Sequence, residues 1–105
     1  MFSIKDIQAL HHENAVALTE HFMDRLRKRK IKIYDVEFIV ANGEIIEHYP
    51  DSYPYPSALI MGYIGKDVPL HVVVGIGRGK LWLVTAYPPT LDKWEADYKT
   101  RKVVE

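Results

Sequence analysis

At Asn42-Gly43 the spacing of apolar residues changes from the three-and-four rhythm of a helix to the alternation of a strand, so a single-class fold does not accommodate both halves of the chain. In the first half, Ile4, Ile7 and Leu10 recur at helical spacing behind a Ser3/Asp6 pair with the separation of a capping box, which predicts a short first helix. Thr19 stands where the N-cap of a second helix belongs, with Glu20 in its first turn. Val36, Ile39 and Val40 mark a third, which Asn42-Gly43 terminates. In the second half, four apolar runs at about 44–49, 57–65, 69–76 and 80–87 are separated by turns rich in Pro and Gly, and read as strands. The connections are short enough for consecutive hairpins. The expected fold is therefore α+β: N-terminal helices packed on a four-stranded antiparallel meander sheet. Pro88-Pro89 ends the last strand, and Thr90 caps a short C-terminal helical segment whose Leu91, Trp94 and Tyr98 share a stripe.

A chain of 105 residues with 48% hydrophobic and 27% charged residues suits one folded domain, 1–105, with a single core. Fourteen basic residues balance fourteen acidic ones, so affinity for a polyanion has to come from local patches. Cysteine is absent, which removes disulfides and thiolate metal sites. Lys5 and Asp6 interrupt the amino terminus where a secretory signal would be apolar, and no run of about eighteen apolar residues exists to span a bilayer. A cytoplasmic protein without membrane partners is the expectation.

The charge is distributed unevenly. Between Asp24 and Lys32, nine positions hold six basic residues and one acid. At ~100° per residue, His21, Arg25, Lys28, Arg29 and Lys32 fall on one arc of a helix, while Phe22, Met23 and Leu26 occupy another. Like charges four residues apart cost an isolated helix about 0.2–0.5 kcal/mol per pair, so the stripe does not serve helix stability. It serves solvation or the binding of a polyanion such as RNA. Lys99, Arg101 and Lys102 add a second basic group near the carboxyl end.

In the third strand, Leu70, Val72, Val74 and Ile76 point one way, and His71 and Val73 the other. A three-residue loop at Gly77-Arg78-Gly79 sets His71 opposite Tyr87 and Val73 opposite Thr85; a two-residue turn shifts the register and sets His71 opposite Ala86. In the first register an imidazole, a phenol and a hydroxyl converge. With arginines beside them, these groups suffice for metal-independent RNA cleavage: a base takes the 2′-hydroxyl proton, that oxygen attacks phosphorus, and cations stabilise the phosphorane. The alternative is a structural histidine bonded to a backbone carbonyl. His11-His12-Glu13 does not continue as HExxH, since Val16 follows His12 by four, and no metal or cofactor is expected. Gly75-Ile76-Gly77-Arg78-Gly79 links two strands and opens no helix, so it reads as a hairpin turn and not as a phosphate loop. The loop Tyr49–Tyr55 offers aromatic faces for bases, or merely rigidifies itself.

The segments Thr19-Glu20-His21 with Arg25, Pro69-Leu70-His71-Val72-Val73, Thr85-Ala86-Tyr87-Pro88-Pro89, Lys93-Trp94 and Arg101-Lys102 resemble, in order and spacing, a family of small prokaryotic domains of unknown function, over roughly residues 15–102. That family is similar to RelE/ParE-type toxins, and its members often stand beside small zinc-finger antitoxins of the MqsA kind. The resemblance implies a RelE-like fold, a ribonuclease or ribosome-directed toxin, and such an antitoxin as partner. Carried onto this chain, its polar positions are His21, Arg25, His71, Thr85 and Tyr87, which together form the expected catalytic set. Arg25, Lys28, Arg29, Lys32, Arg101 and Lys102 form the expected RNA-binding set. Two positions depart from the family pattern: Lys30 stands where a helix-ending glycine is favoured, and Lys32 where a small polar cap is. The alternative function is a non-catalytic RNA-, ribosome- or protein-binding module of the same fold.

Overall fold

In a computed structural model, which describes residues 1–103, three helices precede most of a single sheet. Val104 and Glu105, the end of the expected 1–105 domain, lie outside the described residues. Helix α1 (Ile4–His12) begins on the Ser3/Asp6 capping box, and α2 (Glu20–Arg29) on Thr19, whose hydroxyl accepts from the Phe22 amide. Lys30 ends α2 in the left-handed conformation, φ 56° and ψ 40°, so it takes the glycine's role at a conformational cost that glycine avoids. Lys32 precedes α3 (Ile33–Asn42) without a side-chain cap and lies over the Tyr34 ring, 5.5 Å from its centroid. Because α2 stops at Arg29, Lys32 leaves the predicted stripe and belongs to the next helix.

Strands β2 (Glu44–Tyr49), β3 (Ser57–Ile64), β4 (Val68–Gly77) and β5 (Lys80–Tyr87) form the expected antiparallel meander. The sheet nevertheless has five strands and is mixed. Strand β1 (Val16–Leu18), between α1 and α2, pairs parallel with residues 81–83 of β5, giving the order β1-β5-β4-β3-β2. Three residues without an alternating pattern carry no strand signal of their own; β1 exists because β5 offers it a partner.

The hairpin between β4 and β5 combines the two predicted alternatives. Gly77 pairs with Lys80, so the turn is the two-residue Arg78-Gly79, with φ of 54° and 72°, as a tight hairpin turn requires. That register would place His71 against Ala86. A bulge leaves Val84 unpaired, and beyond it the register advances by one: Val73 faces Thr85 and His71 faces Tyr87.

One sheet face is covered by the helices. Ile7, Phe22, Leu26, Val36, Ile39 and Val40 meet Ile60, Leu70, Val72, Val74, Leu81 and Leu83 in one apolar cluster. The other face carries Leu59, Met61, His71, Val73, Trp82, Thr85 and Tyr87, and part of it is roofed by residues 88–103. This roof is not the expected helical segment. One turn closes where the Trp94 amide donates to the Thr90 carbonyl and a second where the Tyr98 amide donates to the Glu95 carbonyl, and Trp94 bridges back to Arg101. Pro89 and Trp94 are buried, while Leu91 of the expected stripe is exposed. Among the described residues, no helix is long and apolar enough to cross a membrane.

Candidate nucleic-acid interface

The face away from the helices gathers the polar residues that alternation on β4 and β5 directs outward. His71 is at its centre and is 0% exposed. Its Nε2 lies 2.7 Å from the Tyr98 carbonyl oxygen, which can only accept, so Nε2 carries the proton and Nδ1 is the acceptor. The Tyr87 hydroxyl lies 3.3 Å from that Nδ1 and donates to it. Trp94 stands edge-on to the imidazole, with centroids 4.6 Å apart. Burial pushes the His71 pKa below its ordinary value; the Tyr98 carbonyl and the Glu47 charge oppose that shift only partly. Burial likewise raises the Tyr87 pKa, against the influence of Arg101 and Arg29 and with that of Glu47. The pair therefore rests as a neutral imidazole accepting from a neutral phenol.

Tyr87, unlike His71, is only half-buried and lines a cleft of about 380 Å³ together with Arg29, Pro88, Pro89, Lys93, Trp94 and Arg101. Arg29 enters from the end of α2. One of its amino groups donates to Thr85 Oγ1 at 2.9 Å and to the Ala86 carbonyl at 2.8 Å, a carbonyl free to accept because β1 ends opposite Leu83. Arg101 lies 4.7 Å from the Trp94 ring centre and donates to both carboxylate oxygens of Glu47, at 2.8 and 3.0 Å. Burial pushes the Glu47 pKa up, but the bonds from Arg101 and Tyr49 outweigh it and hold the carboxyl below its ordinary range. Burial and the Glu47 carboxylate together push the Tyr49 phenol up to about 12. One cleft arginine is thus balanced by a carboxylate, whereas Arg29 donates to neutral oxygens and the Lys93 charge is partly offset by the neighbouring Asp92.

A second cavity of about 360 Å³ adjoins on the same face, where His21 and Arg25 meet Tyr53, Tyr55, Val73 and Trp82. The expected catalytic set is therefore divided. His71 and Tyr87 are in contact, Thr85 is engaged by Arg29, and His21 and Arg25 belong to the neighbouring cavity. Of the expected RNA-binding set, Arg29 and Arg101 line the cleft, Arg25 lines the cavity, Lys28 and Lys102 are exposed outside both, and Lys32 lies over Tyr34. Lys93, Trp82 and Glu47 were not among the expected site residues. Lys93 follows the two prolines that turn the chain back, Trp82 alternates outward on β5, and Glu47 becomes visible only through its pairing with Arg101. Among the described residues, no three His, Asp or Glu side chains gather in an arrangement that would hold a metal ion.

The fold and this face define a small α+β protein with a cationic, aromatic-lined groove opposite its helical layer. The family described as a domain of unknown function, DUF4258, matches residues 18–88, and the chain belongs to that family. The match runs from the end of β1 through β5, so the roof that carries Lys93, Trp94 and Arg101 lies beyond it. No curated protein and no solved structure matches the chain.

Proposed function

We propose that this protein acts on RNA as a metal-independent endoribonuclease, the toxin of a toxin–antitoxin pair in the cytoplasm, with free or ribosome-bound RNA as substrate and a small zinc-finger protein as antitoxin. The observation that carries the reading is the Tyr87 hydroxyl, backed by His71 and set in a cleft edged by Arg29, Lys93 and Arg101. In such a cleft a phosphodiester meets cations on several sides, and a phenol oxygen can face the adjacent ribose. Tyr87, not His71, is the group that reaches substrate. The 2′-hydroxyl proton passes to the phenol oxygen as the phenol's own proton passes to Nδ1 of His71. The 2′-oxygen then bonds phosphorus, and the 5′-oxygen leaves with a proton from Lys93, giving a 2′,3′-cyclic phosphate and a 5′-hydroxyl. The antiparallel run β2–β5 beneath N-terminal helices supports the RelE/ParE likeness; the parallel strand β1 is additional to what that likeness implies.

The burial of His71 and the opposite pKa shifts of the pair favour a second reading, in which the groove binds RNA, a ribosome or an acidic protein without cleaving it. A defined RNA oligomer, free and ribosome-bound, incubated with the purified protein in the presence and absence of chelator, separates the two. Cleavage that survives chelator, ends in a cyclic phosphate, spares the 2′-deoxy oligomer and disappears in Tyr87→Phe supports the nuclease. RNA that is bound but left intact in every arm overturns it and leaves the binding module.

A further inference from the structure

The cavity beside the cationic cleft has a chemistry that phosphate binding does not require. Trp82 and Tyr55 stand with ring centroids 5.4 Å apart and planes inclined by 30°, and the Trp82 indole is fixed by donation to the Gly77 carbonyl at 3.0 Å. Position 77 must be glycine for this wall to exist, since a Cβ there would lie 2.1 Å from the Tyr55 ring. Tyr53, 94% exposed, adds a further aromatic face at the mouth. The sheet supplies an apolar floor in Val73 and Val84, and α2 supplies one flank, Arg25 with His21. An arginine beside fixed aromatic walls suits a planar, polar ring attached to an anionic backbone.

The cavity is also placed in register with the cleft. Arg25 belongs to the cavity and Arg29 to the cleft, and one helical turn separates them, a rise of ~6 Å. On β5 the same order holds, with Trp82 in the cavity and Tyr87 in the cleft.

We infer that this cavity is a nucleobase subsite: an unpaired base of single-stranded RNA enters the space bounded by Trp82, Tyr55 and Arg25 while a neighbouring phosphate occupies the Arg29–Lys93 cleft. The inference rests on the RNA reading above and adds to it the substrate class, a flexible single strand with at least one base unstacked. A duplex keeps its bases stacked and has none to offer.

The test uses the full chain and a probe that does not depend on cleavage. Adenosine and uridine 5′-monophosphate are titrated while the two indole N–H signals are followed by nuclear magnetic resonance, with ribose 5-phosphate as the base-free control and Trp82→Phe to assign the signals. The expected result is a saturable shift of the Trp82 signal with the nucleotides only, while the signal of Trp94, which lines the phosphate cleft, responds alike to the nucleotides and to ribose 5-phosphate. An RNA oligomer with a single abasic position, scanned along the strand, should then lose about 5- to 100-fold in affinity at one position, the range of one base–aromatic stack. Trp82→Leu should weaken the intact oligomer by a similar factor and leave the abasic one unchanged. A Trp82 signal that does not move, or moves equally with ribose 5-phosphate, overturns the subsite while RNA binding through the cleft stands. Failure of every RNA to bind overturns the subsite and the RNA reading together.

Discussion

The two faces of one sheet are built to different ends. On the helical face, aliphatic and aromatic side chains from three helices and three strands form a continuous core that holds no buried titratable group among the described residues. On the other, an imidazole is sealed at 0% exposure, a carboxylate pairs with an arginine, and the covering segment contains isolated turns in place of a regular element. Close packing leaves the first face no freedom to host chemistry, because any polar group there would lack a partner. The second face supplies partners for its polar groups from backbone carbonyls and side chains, and keeps an open cleft and cavity. The closely packed core lies on one side of the strands and the open cleft and cavity on the other.

The largest test of this division is Phe22→Ala, which empties a fully buried site in the helical core and should cost about 3–5 kcal/mol in urea unfolding. A loss under about 1 kcal/mol would break the comparison. His71→Phe keeps a ring but leaves the Tyr98 carbonyl and the Tyr87 hydroxyl without their partner, for an expected loss of about 1–3 kcal/mol. If it unfolds the chain as readily as the Phe22 change, the roofed face shares fully in the core.

Acid sharpens the same contrast. The folded state holds the His71 pKa low, so below its ordinary value, near ~6.5, the unfolded chain binds the proton more readily. The contribution is therefore complete above that value and declines as the pH falls from there towards the lowered folded-state pKa, by at most about 1.4 kcal/mol per pH unit. Unfolding midpoints between pH 8 and pH 5 should show this decline, and His71→Phe should reduce it. An equal decline in both proteins would assign it to other groups. The smallest expected stability effect is that of Lys28→Glu, an exposed change within about 0.5 kcal/mol. Arg29→Glu, which loses its bonds to Thr85 and Ala86, should in addition weaken RNA binding and lower the salt slope by about 0.7 per phosphate contact. Identical salt slopes in these two variants and the parent would break the placement of the polyanion in the cleft.

Much of the helical face was legible in the sequence, because it obeys local rules. The Ser3/Asp6 and Thr19 caps, the Gly43 stop and the four meander strands depend on spacing and turn residues alone. The parallel strand β1 was not legible, since Val16–Leu18 acquires its pairing from a strand more than sixty residues away. The C-terminal stripe was misread for a related reason: Leu91, Trp94 and Tyr98 have helical spacing, but Pro89 and Trp94 are drawn down onto the sheet by burial, and the chain bends to follow them. Within the site, the contact between His71 and Tyr87 was foreseen through a three-residue loop and is reached through a shorter turn with a compensating irregularity downstream. The burial of His71 depends on the roof, whose course no local pattern announced.

The unpaired Val84 separates two registers along the β4–β5 hairpin, one running from the turn to Leu83 and the other from Thr85 to Tyr87. Deleting Val84 would straighten the strand and keep Thr85 against Val73 and Tyr87 against His71, whereas drawing Val84 into the ladder opposite Val73 would rotate both towards the helical layer and turn Ala86 outward. A single residue of slack in one strand thus decides which side chains of β5 beyond it stand on the open face of the sheet.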